Sequence, residues 1–274
     1  MYHSLCGPAD APVVLLLHGL GSSGEDWGHQ VDVLRERYRV LTVDLPGHHR
    51  SAQPRGALTI PRMAADVERL LAALGIDGAH VVGLSLGGCV ALALALQAPG
   101  RVRSLVLVNT FAQLRPAGPR AALRGAARLL LAVAAPMRTV AAFVAREAFP
   151  RPEHAPLRRT AIERLAANPR RCYLAALAAV VRFDVRAGLA AIRCPTVIVA
   201  GERDTTVPLA AKDRLARGIP GARLEVLADS GHVSPHDQAE AFNRLLLRHL
   251  AALDRPLTLR KDAKALFSVE KEGE

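Results

Sequence analysis

The sequence predicts an α/β fold, a mostly parallel sheet flanked by helices, and three observations point to it. Short β-branched or Leu-rich runs recur along the chain. Segments with helical spacing lie between several of them. Most of the runs end in Gly, Asp, Asn or Ser. Alternation of buried strands with amphipathic helices is the pattern of parallel sheets covered on both faces.

The predicted strands are residues 13–17, 38–43, 80–83, 102–108, 196–200 and 224–227, each read as buried on both faces. Residues 60–74 carry Met63, Val67, Leu70, Leu71 and Leu74 at helical spacing, and Gly75 follows as a stop signal. Residues 86–96 and 239–253 read as two further helices. The alternation breaks after Val108. From 111 to 188 no strand is evident, only Ala/Leu/Arg helices punctuated by prolines. The expected organisation is therefore a core of residues 1–110 and 189–253, a helical insertion of residues 111–188, and a charged tail of residues 254–274. The tail is expected to be loosely ordered, with a short helix near 263–267. The apolar stretch 126–145 is nearly long enough to span a bilayer. Arg128, Pro136 and Arg138 interrupt it, so it reads as a buried or groove-lining helix and not as a transmembrane segment.

Half of the 274 residues are hydrophobic and only 4% aromatic, which implies a sizeable aliphatic core. The formal charge is +11, and residues 111–188 carry nearly all of the excess, with fourteen Arg, no Lys and four acids. No basic run is interleaved with aromatics, so nucleic acid is not an expected partner. Cys6, Cys89, Cys172 and Cys194 show no metal-ligand spacing, and Cys89 and Cys194 read as core residues. The scattered cysteines and the absence of a cleavable leader pattern suggest a cytoplasmic protein.

The chemistry centres on Gly83-Leu84-Ser85-Leu86-Gly87. A strand enters, a helix of small residues leaves, and Ser85 stands at the corner. A sharp strand-to-helix turn strains its central residue and needs small neighbours, while exposing the hydroxyl above the strand ends. A nucleophilic serine needs a base, and that base needs an acid on its other ring nitrogen. His232 follows the last predicted strand in Ser230-Gly231-His232. Asp204 follows strand 196–200 in Gly201-Glu202-Arg203-Asp204. Asp229 is a rival acid only three positions from His232. The two oxyanion donors are expected to be the backbone N–H groups of Leu86 and Leu20, with Gly21 next in line after Leu20.

Together, HGLGSSGEDW, DLPGHHRS, GLSLGG, GERDTTVP and SGH resemble the α/β-hydrolase superfamily across residues 12–253. The resemblance implies an α/β-hydrolase fold and Ser/Asp/His chemistry. It also implies that residues 111–188 form a cap above a substrate pocket. Epoxide hydrolases and haloalkane dehalogenases are similar but carry Asp where Ser85 stands. C–C bond hydrolases usually carry Asn where Leu84 stands. The GLSLGG helix and the strand ending in VNT look most like 3-oxoadipate enol-lactonases and related carboxylesterases. Two departures stand out. His49 occupies a position where relatives have Gly, so the loop is either rebuilt or turns His49 into the site. Few residues precede Val13, so fewer than eight strands are expected.

The leading expectation is a serine hydrolase cleaving a small ester, lactone or thioester through an acyl-enzyme, with no metal and no cofactor. Cap arginines would favour anionic substrates. The alternatives are a receptor-like binding protein on the same fold, an acyltransferase or perhydrolase, and a C–C bond hydrolase.

Overall fold

The computed structural model describes residues 1–52, 56–115 and 118–254. Strands β1 (His3–Cys6), β2 (Val13–Leu17), β3 (Arg39–Val43), β4 (Ala79–Leu84), β5 (Val102–Val108), β6 (Thr196–Gly201) and β7 (Arg223–Leu227) form one sheet in the order β1-β3-β2-β4-β5-β6-β7. β1 pairs antiparallel with β3, and every other pairing is parallel. Leu17 lies opposite both Val43 and Gly83, and Leu84 lies opposite Val108. The C-terminal ends of the central strands are thus level, and the loops that follow them share one edge.

Side chains alternate along a strand, so the sheet divides the core into two layers. Leu15, Leu17 and Val81 face the layer shared with α2 (Ile60–Ala73), α3 (Leu86–Gln97) and α8 (Leu209–Gly218). Val14, Leu16 and Val82 face the layer shared with α1 (Gly28–Leu34) and α10 (Ala239–Leu253). Thr59 caps α2 by accepting the Arg62 N–H, and Pro61 fits its first turn. Helix α3 is apolar all round and buried from Leu86 to Ala95, as expected of a central helix with no solvent face.

Between β5 and β6 lie α4 (Pro119–Ala134), α5 (Met137–Ala148), α6 (Ala155–Ala166) and α7 (Arg170–Arg182). The base of this helical insertion is pinched shut. Gln113 and Asp184 form an antiparallel bridge, Gln113 Nε2 donates to Asp184 Oδ2 at 3.0 Å, and Val185 N donates to Ala112 O at 3.0 Å. A short helix α9 (Ser234–Asp237) precedes α10.

Several expectations need correction. The strand at β1 was not anticipated, because four residues on a sheet edge bury too little to give a pattern. β7 is not buried on both faces. It is the opposite edge strand, and Val226 is half exposed. The apolar stretch 126–145 is two helices, broken where Pro136 caps α5. Arg128 and Val144 do line a cavity, but Leu123 and Leu130 of α4 face outward at 71% and 67% exposure. Cys89 is buried, Cys194 only partly, and all four cysteines are free. Helix 263–267 lies outside the described residues. Among the described residues no helix is long and apolar enough to cross a membrane.

Candidate active site

Ser85 sits between β4 and α3 with φ 53° and ψ −110°, a conformation that costs a non-glycine residue on the order of 1–3 kcal/mol. The backbone around it compensates. Ser85 N donates to Val108 O at 2.9 Å, and Ser85 O accepts from Cys89 N at 3.1 Å and Thr110 Oγ1 at 2.7 Å. The turn is tight enough to exclude side chains. A Cβ on Gly87 would lie 2.1 Å from Leu17 O, and one on Gly83 would lie 2.5 Å from Gly87 O.

Asp204, in the loop after β6, is fully buried and carries four sets of donors. His232 Nδ1 lies 3.0 Å from Oδ2 and 3.1 Å from Oδ1. Thr206 N and Val207 N donate to Oδ1 at 2.8 and 3.0 Å. Lys212 Nζ, itself fully buried on α8, donates to Oδ2 at 2.7 Å. Burial opposes ionisation of Asp204, but His232 and Lys212 outweigh it and hold the carboxyl well below the usual carboxylate range. Burial in turn lowers Lys212, against the opposing pull of Asp204.

The loop bearing His232 is anchored from both sides. Asp237 accepts Gly231 N at 2.6 Å and Ser230 Oγ at 2.8 Å. Asn109, at the end of β5 with φ 45°, donates to His232 O at 2.8 Å and accepts Gly201 N at 2.8 Å. One buried amide thereby ties together the ends of β5 and β6 and the histidine loop. The rival acid Asp229 points elsewhere, to an ion pair with Arg203.

Leu20 follows β2 and Leu86 opens α3. Both line the same cavity as Ser85 and His232, and neither backbone N–H has an acceptor among the described residues. The Leu20 loop is set by His18. Leu45 N donates to His18 Nε2 at 2.9 Å, so Nδ1 carries the proton and donates to Gly19 O at 2.8 Å. The helical insertion seats on this loop. Asn168 Nδ2 donates to Gly21 O at 2.9 Å, and a Cβ on Gly21 would meet Leu165 at 2.8 Å. His49 adopts φ 42°, so its position needs a positive φ, and it does not line the cavity. Its Nε2 lies 3.1 Å from Arg164 O, and its N–H donates to Asn168 Oδ1 at 3.2 Å.

The cavity has a volume of about 500 Å3 and lies between the sheet edge and the insertion. Its walls are mainly apolar, including Phe111, Val144, Phe149 and Leu177. Arg164 pairs with Asp26 and Glu25, and Glu147 pairs with Arg124. Arg128 has no carboxylate partner among the described residues. Its Nε donates to the Tyr173 hydroxyl at 2.8 Å.

Buried neutral histidines make stability acid-sensitive. Burial, then neighbouring His48, pushes His18 down to about 3. Burial also pushes His48 and His236 down to about 4. These folded values lie below the unfolded value of about 6.5. The stabilisation is therefore complete above that pH and is lost as pH falls from there toward 4. By pH 5 the loss should be on the order of 2 kcal/mol for each of His18 and His48. Thermal unfolding at pH 7.5 and pH 5 checks this, and an unchanged midpoint would refute it.

The sequence singled out Ser85, Asp204 and His232, which the structure brings to one edge of the sheet, and gave no sign of Lys212, Asn109 or Asn168. Each of the last three touches a motif residue, Asp204, His232 or Gly21, from a position remote from it in the chain.

The chain as a whole resembles known hydrolases. The chain is 36% identical over 263 residues to "Putative carbamate hydrolase RutD" of Variovorax paradoxus, covering 93% of this chain and 98% of that protein. A hydrolase structure from Pseudomonas aeruginosa shares 35% identity at a TM-score of 0.83, over 90% of this chain and 93% of that one. The enol-lactonase of Burkholderia xenovorans shares 27% identity at a TM-score of 0.84, over 91% and 96%. Residues 12–239 match the family model of the alpha/beta hydrolase fold, and with this architecture the chain belongs to the alpha/beta hydrolase family.

Proposed function

We propose that this hydrolase works through Ser85 as nucleophile, His232 as general base and Asp204 as the acid that orients it. The observation that carries the proposal is the buried Asp204–His232 contact at 3.0 Å, opening into the cavity where the strained Ser85 turn also lies. Asp204 takes Nδ1, which leaves Nε2 to accept the serine proton. Ser85 Oγ attacks the substrate carbonyl, and the developing oxyanion receives the Leu20 and Leu86 N–H groups. His232 then protonates the leaving group, and water, activated by the same ring, releases the acyl group and restores Ser85. Residues 111–188 act as the cap that closes the pocket.

The cavity volume suits a small ester, lactone or thioester. Arg128, unpaired with any carboxylate among the described residues, would favour a substrate bearing an anionic group. The name of the RutD relatives favours a second reading, in which the carbonyl is that of a carbamate and the intermediate a carbamoyl-serine. The nucleophile, base and oxyanion donors would be the same.

The test is multiple-turnover hydrolysis of p-nitrophenyl acetate, a carboxylated phenyl ester and a carbamate, with the wild type and Arg128→Met. Sustained turnover with a preference for the carboxylated ester that Arg128→Met reduces about tenfold supports the full reading. Equal rates on charged and neutral esters remove the anion preference. Tight binding without turnover on any of these substrates would favour a receptor instead.

A further inference from the structure

The triad acid has a fourth companion that the reaction scheme does not use. Lys212 is the only Lys or Arg among the fully buried side chains of the described residues, and its Nζ lies 2.7 Å from the carboxylate oxygen that also faces His232. Asp204 already has two backbone donors on Oδ1, from Thr206 and Val207. Oδ2 is thus left to Lys212 and His232. A buried ammonium is costly to desolvate, so its presence calls for a role beyond packing.

We infer that Lys212 is a positioning residue of the triad: its ammonium locks Asp204 Oδ2 and shares the charge of the carboxylate, so that His232 remains a neutral base to lower pH. The inference rests on the triad reading above. Its physical basis is a three-group chain. Lys212 and His232 meet the same oxygen, at 2.7 and 3.0 Å, so the ammonium lies within about 6 Å of the ring. A cation there opposes a second cation on the imidazole. Without it, Asp204 would act on His232 alone and make the ring easier to protonate.

The other ionisable groups around His232 do not duplicate this effect. Glu25, Asp26 and Arg164 in the shared cavity pair with one another, Asp32 of α1 pairs with Arg35, and Glu147 of α5 pairs with Arg124. Asp237 is taken by Ser230 and Gly231. His29 and His236 stack edge to face on each other, and Arg128 keeps its charge but donates to the Tyr173 hydroxyl and not to Asp204.

The experiment follows the second-order rate of active-serine modification by diethyl p-nitrophenyl phosphate from pH 4.5 to 9, in the full chain. Lys212→Met removes the charge with the length kept, Lys212→Gln keeps a donor without charge, and Lys212→Arg keeps the charge. The acidic limb of the profile should move up by about one pH unit in Met and Gln, and stay in place in Arg. Should the Met variant fail to fold, the Gln variant decides alone. A limb at its wild-type position in either folded neutral variant overturns the inference, and leaves Lys212 a structural ion pair. Ser85→Ala, run beside them, separates the two levels. Modification that persists in Ser85→Ala defeats the triad reading itself.

Discussion

Replacing Ser85 by alanine is expected to lower kcat/KM by about 10^4-fold or more while leaving the protein folded. The proposed reaction needs an oxygen nucleophile at this one position. The fold does not need the hydroxyl, because the Ser85 side chain caps nothing and the turn is held by its backbone bonds to Val108, Cys89 and Thr110. The change in stability should stay within about 0.5 kcal/mol. Steady-state hydrolysis of p-nitrophenyl acetate and a thermal melt on the same sample decide it. Wild-type turnover in the folded variant would remove Ser85 from the mechanism.

The largest effect on stability should come from Gly87→Ala. A Cβ there would stand 2.1 Å from Leu17 O and 2.8 Å from His18 O, both main-chain atoms of β2 and the loop after it. Neither can yield without moving β2 or lifting α3 from the sheet. A cost above about 4 kcal/mol is expected, enough to unfold a protein of ordinary stability. Gly100→Ala is the control, since its Cβ would meet nothing within 4 Å. Comparing the two by soluble yield and chemical denaturation tests the packing argument. Equal midpoints would show that the contact between α3 and β2 is looser than the structure gives.

Much of this architecture was legible in the chain because its central strands are buried on both faces. Residues 102–108 form a strand with the expected bounds, and 13–17 likewise, since continuous β-branched and Leu runs leave little choice of structure. The edges were less legible. β1 and β7 bury one face or less, so HSLC gave no strand signal and the strand at 224–227 was expected to be buried on both faces. Helix α4 misled for a different reason. Its leucines at 123, 129 and 130 suggest burial, but Arg128 is turned toward Tyr173 and the leucines face solvent. At the site, motif spacing pointed to residues 85, 204 and 232. It could not point to Lys212, which reaches Asp204 only because α8 begins at Leu209 and folds back over it. His49 was ambiguous in sequence for a similar reason: the partner that decides its orientation, Arg164, lies 115 residues away.

The pinched base of the helical insertion bears on how such a molecule can diversify. Because Gln113 meets Asp184 and Ala112 meets Val185, the chain leaves the sheet and returns to it at nearly one point. What lies between behaves as a closed loop whose ends are fixed however long it grows, and loop length adds only slowly to the entropy of closure. Helices can be exchanged, lengthened or deleted there without changing the register of β5 against β6. The strand-end edge and the insertion that walls the cavity can therefore vary at separate rates, and on the proposed function the first would be tied to the reaction and the second free to follow the substrate.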